Sequence, residues 1–287
     1  MNDFYAAHSP VSHPGRHAAL LDGLPRDVAG VSRVAQGLVY HYVADEQFFG
    51  FKPPKERLPE IDTRSIERIL GRLIEMDPRP FDQPRAFDKR IIGCCRDFAL
   101  LACAMLRQAG FPARLRHGFA GYFVPGWWID HVVVEVWEGN RWRRFDAEVP
   151  PGDHWGFNVQ DMRTDDPFVT GGRAWLMTRR EGADPSKFGL GPDVPDVCGR
   201  WFIAGRMQQD IAALHKQEML CWDQWRYGTE EAVLTAEDEA LLDRAAELSL
   251  ESDSTALRAL CASDERLQVP AHVVCWSPAA GPHEVAV

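Results

Sequence analysis

The sequence predicts an α+β fold. N-terminal helices and a cysteine-bearing helix pack on an antiparallel sheet, and an appended α-helical C-terminal region follows. Three observations predict it. After Cys95, the residues Leu101, Ala102, Met105, Leu106 and Ala109 recur at helical spacing, until Gly110 and Pro112 stop the helix. The runs Asp130–Trp137 and Arg141–Asp146 are rich in β-branched and aromatic residues and are separated only by Glu138-Gly139-Asn140, which reads as a β-hairpin. Helical spacing returns in Phe202, Met207, Ile211, Leu214 and Met219, and again in Leu241, Leu242, Ala245 and Leu248.

Taken in order, residues 1–25 read as a loose arm with a short helix near His17–Leu21. Residues 26–200 read as the catalytic core. Within it, Asp27–Tyr42 has the spacing of an amphipathic helix, and the aromatic cluster Phe48-Phe49-Gly50-Phe51 reads as core. Asp62 is placed to cap a helix whose apolar face is Ile66, Ile69, Leu70, Leu73 and Ile74. Residues 77–90 form a loop leading to Gly93, and Ala113–Tyr122 reads as a strand. Residues 150–199 are rich in Gly, Pro and Asp. They read as an irregular cover with one regular element near Arg173–Met177. Residues 201–263 are the helical C-terminal region. The charges Arg206, Asp210, Lys216 and Glu218 of its first helix, expected over Trp201–Trp225, read as a solvated face. Residues 264–287 read as a tail with one strand at Val273–Trp276.

Chemistry concentrates around Gly93-Cys94-Cys95-Arg96-Asp97. A thiol at a helix start meets unpaired backbone N–H groups and the positive end of the macrodipole, which favour thiolate. Taken alone, a buried free cysteine is more often a small apolar filler, and it is the hairpin that reverses this reading. The hairpin adds the second component. With Glu138-Gly139 as a two-residue turn, His131 lies opposite Asp146, their Cβ atoms ~5 Å apart; a longer turn moves the partner to Ala147 or Glu148. A nucleophile, a base beside it and an acid orienting the base constitute the general triad arrangement. His117 competes as base, but no carboxylate faces it in a definable register, so it reads as a hydrogen-bonded core histidine. Of the adjacent Trp127 and Trp128, either one lines an acyl channel or both serve packing.

These motifs occur in one order: Gly-x-Cys-Arg-Asp-Phe-Ala, Gly110-Phe111-Pro112, Gly118-Phe119, Asp130-His131-x-x-x-Glu135-Val136-Trp137 and Trp142-x-x-x-Asp146. Over about residues 90–148 the chain resembles the transglutaminase-like superfamily. The resemblance implies a papain-like α+β core, with Cys95 rather than Cys94 as nucleophile, His131 as general base and acid, and Asp146 as the orienting acid. Animal-type transglutaminases carry a tryptophan oxyanion donor upstream of the nucleophile. Here no Trp precedes Trp127, which leaves Tyr40, Tyr42 and Gln47 as upstream candidates.

Composition bounds the rest. A net charge of -10 argues against nucleic acid or an anionic membrane as partner. The first sixteen residues are polar, no apolar run is long enough to span a bilayer, and the seven cysteines are expected as thiols in the cytoplasm. No Cys-x-x-Cys, His-Glu-x-x-His or Asp-x-Asp-x-Asp spacing occurs, so neither metal nor cofactor is expected. The expected activity is cysteine-dependent acyl transfer. A thioester forms from a peptide, protein or small amide and is resolved by water; the alternatives are an amine acceptor in an amide-forming transferase, or a binding module that retains the fold.

Overall fold

The helix that begins at Cys95 runs to Gln108 and is buried on every side as far as Arg107. Gly110, at φ +85°, ends it as expected, and Phe111 N–H closes the last turn on the Leu106 carbonyl. In this computed structural model, which describes residues 2–163 and 167–287, that helix is the centre of the molecule. It packs on strands Ala113–Ala120 and Trp128–Glu138.

Those strands belong to a curled antiparallel sheet. Arg141–Phe145 lies at one edge, Phe168–Thr170 at the other, and the short Phe188–Gly189 runs parallel to Trp128–Glu138. The hairpin turn is Gly139-Asn140, two residues with positive φ of 56° and 71°, as a type I′ turn requires. This register differs from the expected one. Glu138 pairs with Arg141 and Val134 with Phe145, so counting on, His131 falls opposite Glu148 instead of Asp146. The left-handed conformation falls naturally on Gly and Asn, and not on Glu138.

All eight residues of Ala113–Ala120 are buried, because the helix Arg200–Leu214 covers the sheet as well. The alternation of Leu and Arg in this strand therefore separates an apolar layer from a buried ionic one. Glu135 Oε2 accepts from Arg114 Nε at 2.8 Å and Arg116 Nη1 at 3.1 Å, while Oε1 accepts from Arg144. Arg116 also grips Asp210 through two bonds of 2.9 Å. Most of the charged face expected for this helix is thus buried, contrary to expectation: Arg206 pairs with Asp130, Asp210 with Arg116 and the following Glu218 with Arg107, while Lys216 stays partly exposed. Burial opposes charge on Glu135, but Arg116, Arg114 and Arg144 outweigh it and hold the carboxyl below its usual range. Glu135→Ala should therefore destabilise the fold by about 3–5 kcal/mol, because several buried guanidinium groups lose their counter-charge; the urea midpoint measures it. A depressed carboxyl pKa stabilises above the unfolded value, and that contribution fades as pH falls through the folded one.

Several other expectations change. The helix after Asp27 ends at Leu38, where Val39-Tyr40-His41 turn into a strand parallel to Ile91–Gly93. Ser65, not Asp62, stands at the N-cap of Ile66–Met76; Asp62 accepts instead from Trp222 Nε1 and Ser277 Oγ. Phe48 and Phe49 are exposed, and only Phe51 packs inward, against Tyr40. The N-terminal arm is tied down: Tyr5 is fully buried and its hydroxyl donates to the Leu214 carbonyl. Residues 150–199 supply two strands and the helix Gly171–Arg180 in addition to irregular chain, with 164–166 outside the described residues. The expected Trp201–Trp225 helix stops at Leu214. The tail forms a hairpin, His272–Ser277 with Gly281–Ala286, that pairs with Asp223–Gln224.

Candidate active site

Each residue of Gly93-Cys94-Cys95-Arg96-Asp97 has a structural task. Cys94 is the N-cap, and the Asp97 carboxylate reaches back to accept from Cys94 N–H at 2.9 Å. A Cβ on residue 93 would lie 2.7 Å from Asp97 Oδ2, so only glycine admits this reciprocal cap. Arg96 is fully buried. It donates to Asp97 at 3.0 Å, to the Arg64 carbonyl at 2.6 Å and to the Glu218 carbonyl at 2.9 Å, binding two distant segments to the helix start. Cys95 occupies the first helical position with its backbone N–H among the four that have no intrahelical acceptor.

His131 lies on the strand Trp128–Glu138, opposite Gly118. Asp146 follows the end of its strand by one residue. Its Oδ1 accepts from the backbone N–H of Glu148 at 2.8 Å, which fixes the carboxylate, and Oδ2 meets His131 Nε2 at 2.7 Å. Tyr122 adds a 2.5 Å hydrogen bond to the same Oδ2. On the other side of the ring, His131 Nδ1 is 4.0 Å from Glu148 Oε2. Cys95 Sγ, one ring nitrogen of His131 and one oxygen of Glu148 all lie within 4.8 Å of one another. The three residues expected at the site are therefore together, by a geometry two residues away from the expected pairing.

Aromatic rings enclose the imidazole. Phe123 and Tyr122 stand edge-on to His131 at 5.0 and 6.1 Å, and Trp155 and Phe157 of the following segment pack against Tyr122. Trp128 stacks on Phe188, and the ammonium of Lys187 sits over Trp127. Of the upstream donor candidates, Tyr40 is committed to the Phe51 carbonyl and Gln47 is exposed. Tyr42 is the one beside the thiols: burial, then the sulfurs of Cys94, Cys221 and Cys95, push its hydroxyl well up and keep it a donor. His117 is fully buried with neither ring nitrogen hydrogen-bonded among the described residues, and burial lowers it to about 4. It is a core histidine, though not the hydrogen-bonded one expected.

The electrostatics also depart from the simple helix-start picture. Hydrogen bonding to Cys221 and Cys94, together with burial, raises the Cys95 thiol well above its usual value, while Cys221, accepting from Cys94 and Cys95, is lowered. Burial opposes charge on His131, but Asp146, with Glu148 and Asp130, raises it to about 9. Asp146 thus favours the charged imidazole of His131, and within the sulfur cluster negative charge is favoured on Cys221 over Cys95. Cys221, Tyr122 and Glu148 were not legible as a group: only Glu148 falls within the range of hairpin registers. Cys221 arrives from a loop 127 residues after Cys94.

Residues 64–147 match the family model of the transglutaminase-like superfamily, a span that holds Cys95, His131 and Asp146. These residues form a transglutaminase-like core. Among solved structures, that of a putative cysteine protease from Cytophaga hutchinsonii is similar at 20% identity and a TM-score of 0.20, over 54% of this chain and 50% of that one. The chain thus spans about half the length of that protein. No curated protein matches it. Among the described residues no helix is long and apolar enough to cross a membrane.

Proposed function

We propose that the protein is a cysteine-dependent acyl-transfer enzyme acting on a peptide or amide, with water as acceptor. The observation that carries this reading is the continuity from Cys95 Sγ to a ring nitrogen of His131 and on, at 2.7 Å, to the fixed carboxylate of Asp146. A shift of one S–H proton from Cys95 to Cys221 leaves the thiolate on Cys95, which attacks the carbonyl carbon. The oxyanion meets the Cys95 N–H and, as second donor, the Tyr42 hydroxyl. The imidazolium of His131 gives its proton to the leaving amine as the C–N bond breaks, and a thioester remains. Neutral His131 then takes a proton from water as it adds to the thioester, and the acid leaves with Cys95 restored to thiolate. Water needs no acceptor site of its own, which favours hydrolysis over amide formation.

Intact-mass spectrometry after incubation with glutamine peptides and small amides, with and without excess primary amine, tests this. Acid product and a transient Cys95 adduct are expected. Amine incorporation would replace water by an amine acceptor. Absence of product and adduct, with a thiol inert to iodoacetamide, would favour a binding module. Tyr122→Phe removes one charge-assisted bond to Asp146, worth about 1.5–3 kcal/mol. The variant should therefore lose about tenfold or more in kcat with little change in KM.

A further inference from the structure

One neighbouring thiol suffices to take a proton from Cys95, yet both Cys94 and Cys221 stand beside it, completing a cluster of three buried thiols. Sγ of Cys94, Cys95 and Cys221 all lie within 4.8 Å of one another, and Cys94 Sγ is 4.0 Å from Cys221 Sγ. A disulfide requires sulfurs about 2.05 Å apart. Two thiolates on one zinc ion at ~2.3 Å from each stand ~3.8 Å apart in tetrahedral geometry. The 4.0 Å between Cys94 and Cys221 is far from a disulfide and close to the separation of two ligands on one ion.

The loop carrying Cys221 is held rigidly. Arg206 Nη1 donates to the Cys221 carbonyl at 2.6 Å, Gln209 Nε2 donates to the Leu220 carbonyl at 3.1 Å, and Arg96 holds the Glu218 carbonyl. These groups are all buried, so the three sulfurs are preorganised by a built shell. The charge balance fits as well. Three thiolates on a divalent cation leave one excess negative charge. The start of the Cys95–Gln108 helix and the neighbouring Arg206 guanidinium both favour it.

We propose that Cys94, Cys95 and Cys221 form a three-thiolate site for a soft d10 divalent cation of the zinc type, and that its binding reversibly blocks the nucleophile. The blocking role rests on the reading of Cys95 as nucleophile; the binding site does not. On binding, the cation forms three metal–sulfur bonds and the remaining thiol protons leave to solvent. His131 and Glu148, which share the neighbourhood of Cys95, are the side chains from which a fourth ligand would come. Asp146 already orients the imidazole as a carboxylate does behind a metal-bound histidine.

The test is titration of the reduced full-length protein with Co2+ as a spectroscopic stand-in for zinc, without substrate. One ion per chain is expected, with tetrahedral visible bands and a thiolate-to-cobalt charge-transfer band of three-thiolate intensity. In Cys221→Ser that band should lose about one third of its intensity and the affinity should fall at least tenfold. Zinc competing for the site should abolish the cobalt spectrum and the alkylation of Cys95. A wild-type spectrum with one thiolate or none would overturn the proposal without recourse to any variant, and so would an unchanged spectrum in Cys221→Ser. Neither result bears on turnover, so failure of the metal site and failure of the acyl-transfer reading are told apart.

Discussion

In Cys95→Ala, turnover of any amide that the wild type processes should fall by about 10⁶-fold, the order seen when a covalent nucleophile is removed from a triad enzyme. The size of the loss follows from what remains. Without Sγ there is no thioester, so the difficult amide cleavage cannot be divided into two steps. His131 and Asp146 keep their 2.7 Å contact, but the imidazolium has no acyl intermediate to resolve. Cys95 is buried and small, and alanine removes only its sulfur, so the helix and its cap, which depends on Cys94 and Asp97, should persist. Single-turnover assays and intact mass measure the effect. A variant that kept within tenfold of wild-type turnover would remove Cys95 from the mechanism.

Asp146→Asn should lower kcat by about 10³–10⁴-fold while leaving the urea midpoint near that of the wild type. The carboxylate has two effects on His131. It fixes the ring through Nε2 and, against the opposing effect of burial, contributes most to raising the imidazolium to about 9. At neutral pH the wild-type ring is therefore charged and able to protonate a leaving amine. This ability is lost as pH rises through about 9, so the alkaline limb of kcat should lie there. In Asp146→Asn that limb should move to lower pH, which a merely structural role for Asp146 would not produce. The same raised pKa stabilises the folded state below the unfolded histidine value, and that contribution is lost as pH climbs through the folded one. A limb at the same pH in both proteins would remove Asp146 as the partner that charges the ring.

The Cys95 helix and the hairpin were legible because their signals are local. Helical spacing with a Gly110 stop, and β-branched runs about a tight turn, need no knowledge of the rest of the chain. The register was off by two residues because Glu138-Gly139-Asn140 offers two turns, and only backbone handedness chooses between them. Asp146 still reaches His131, since an aspartate just past a strand end can swing back when its second oxygen is held by a following N–H. What escaped was long-range. Arg206 and Asp210 look like a wetted helix face until Asp130 and Arg116 are seen opposite them. The low thiol pKa expected at Cys95 is redirected to Cys221 by sulfurs that no sequence window brings together.

Arg96 has a further consequence, for the order in which the molecule is made. Its guanidinium joins the helix start to the Glu218 carbonyl, a contact across 122 residues. Contacts of such sequence separation form late, since the loop they close must first be paid in entropy. During synthesis the nucleophile helix emerges well before the loop that completes its surroundings. A nascent or prematurely ended chain therefore presents Cys95 without Cys221 and the buried loop that carries it. On the reading of Cys95 as nucleophile, its full surroundings exist only once the C-terminal half has folded onto the sheet.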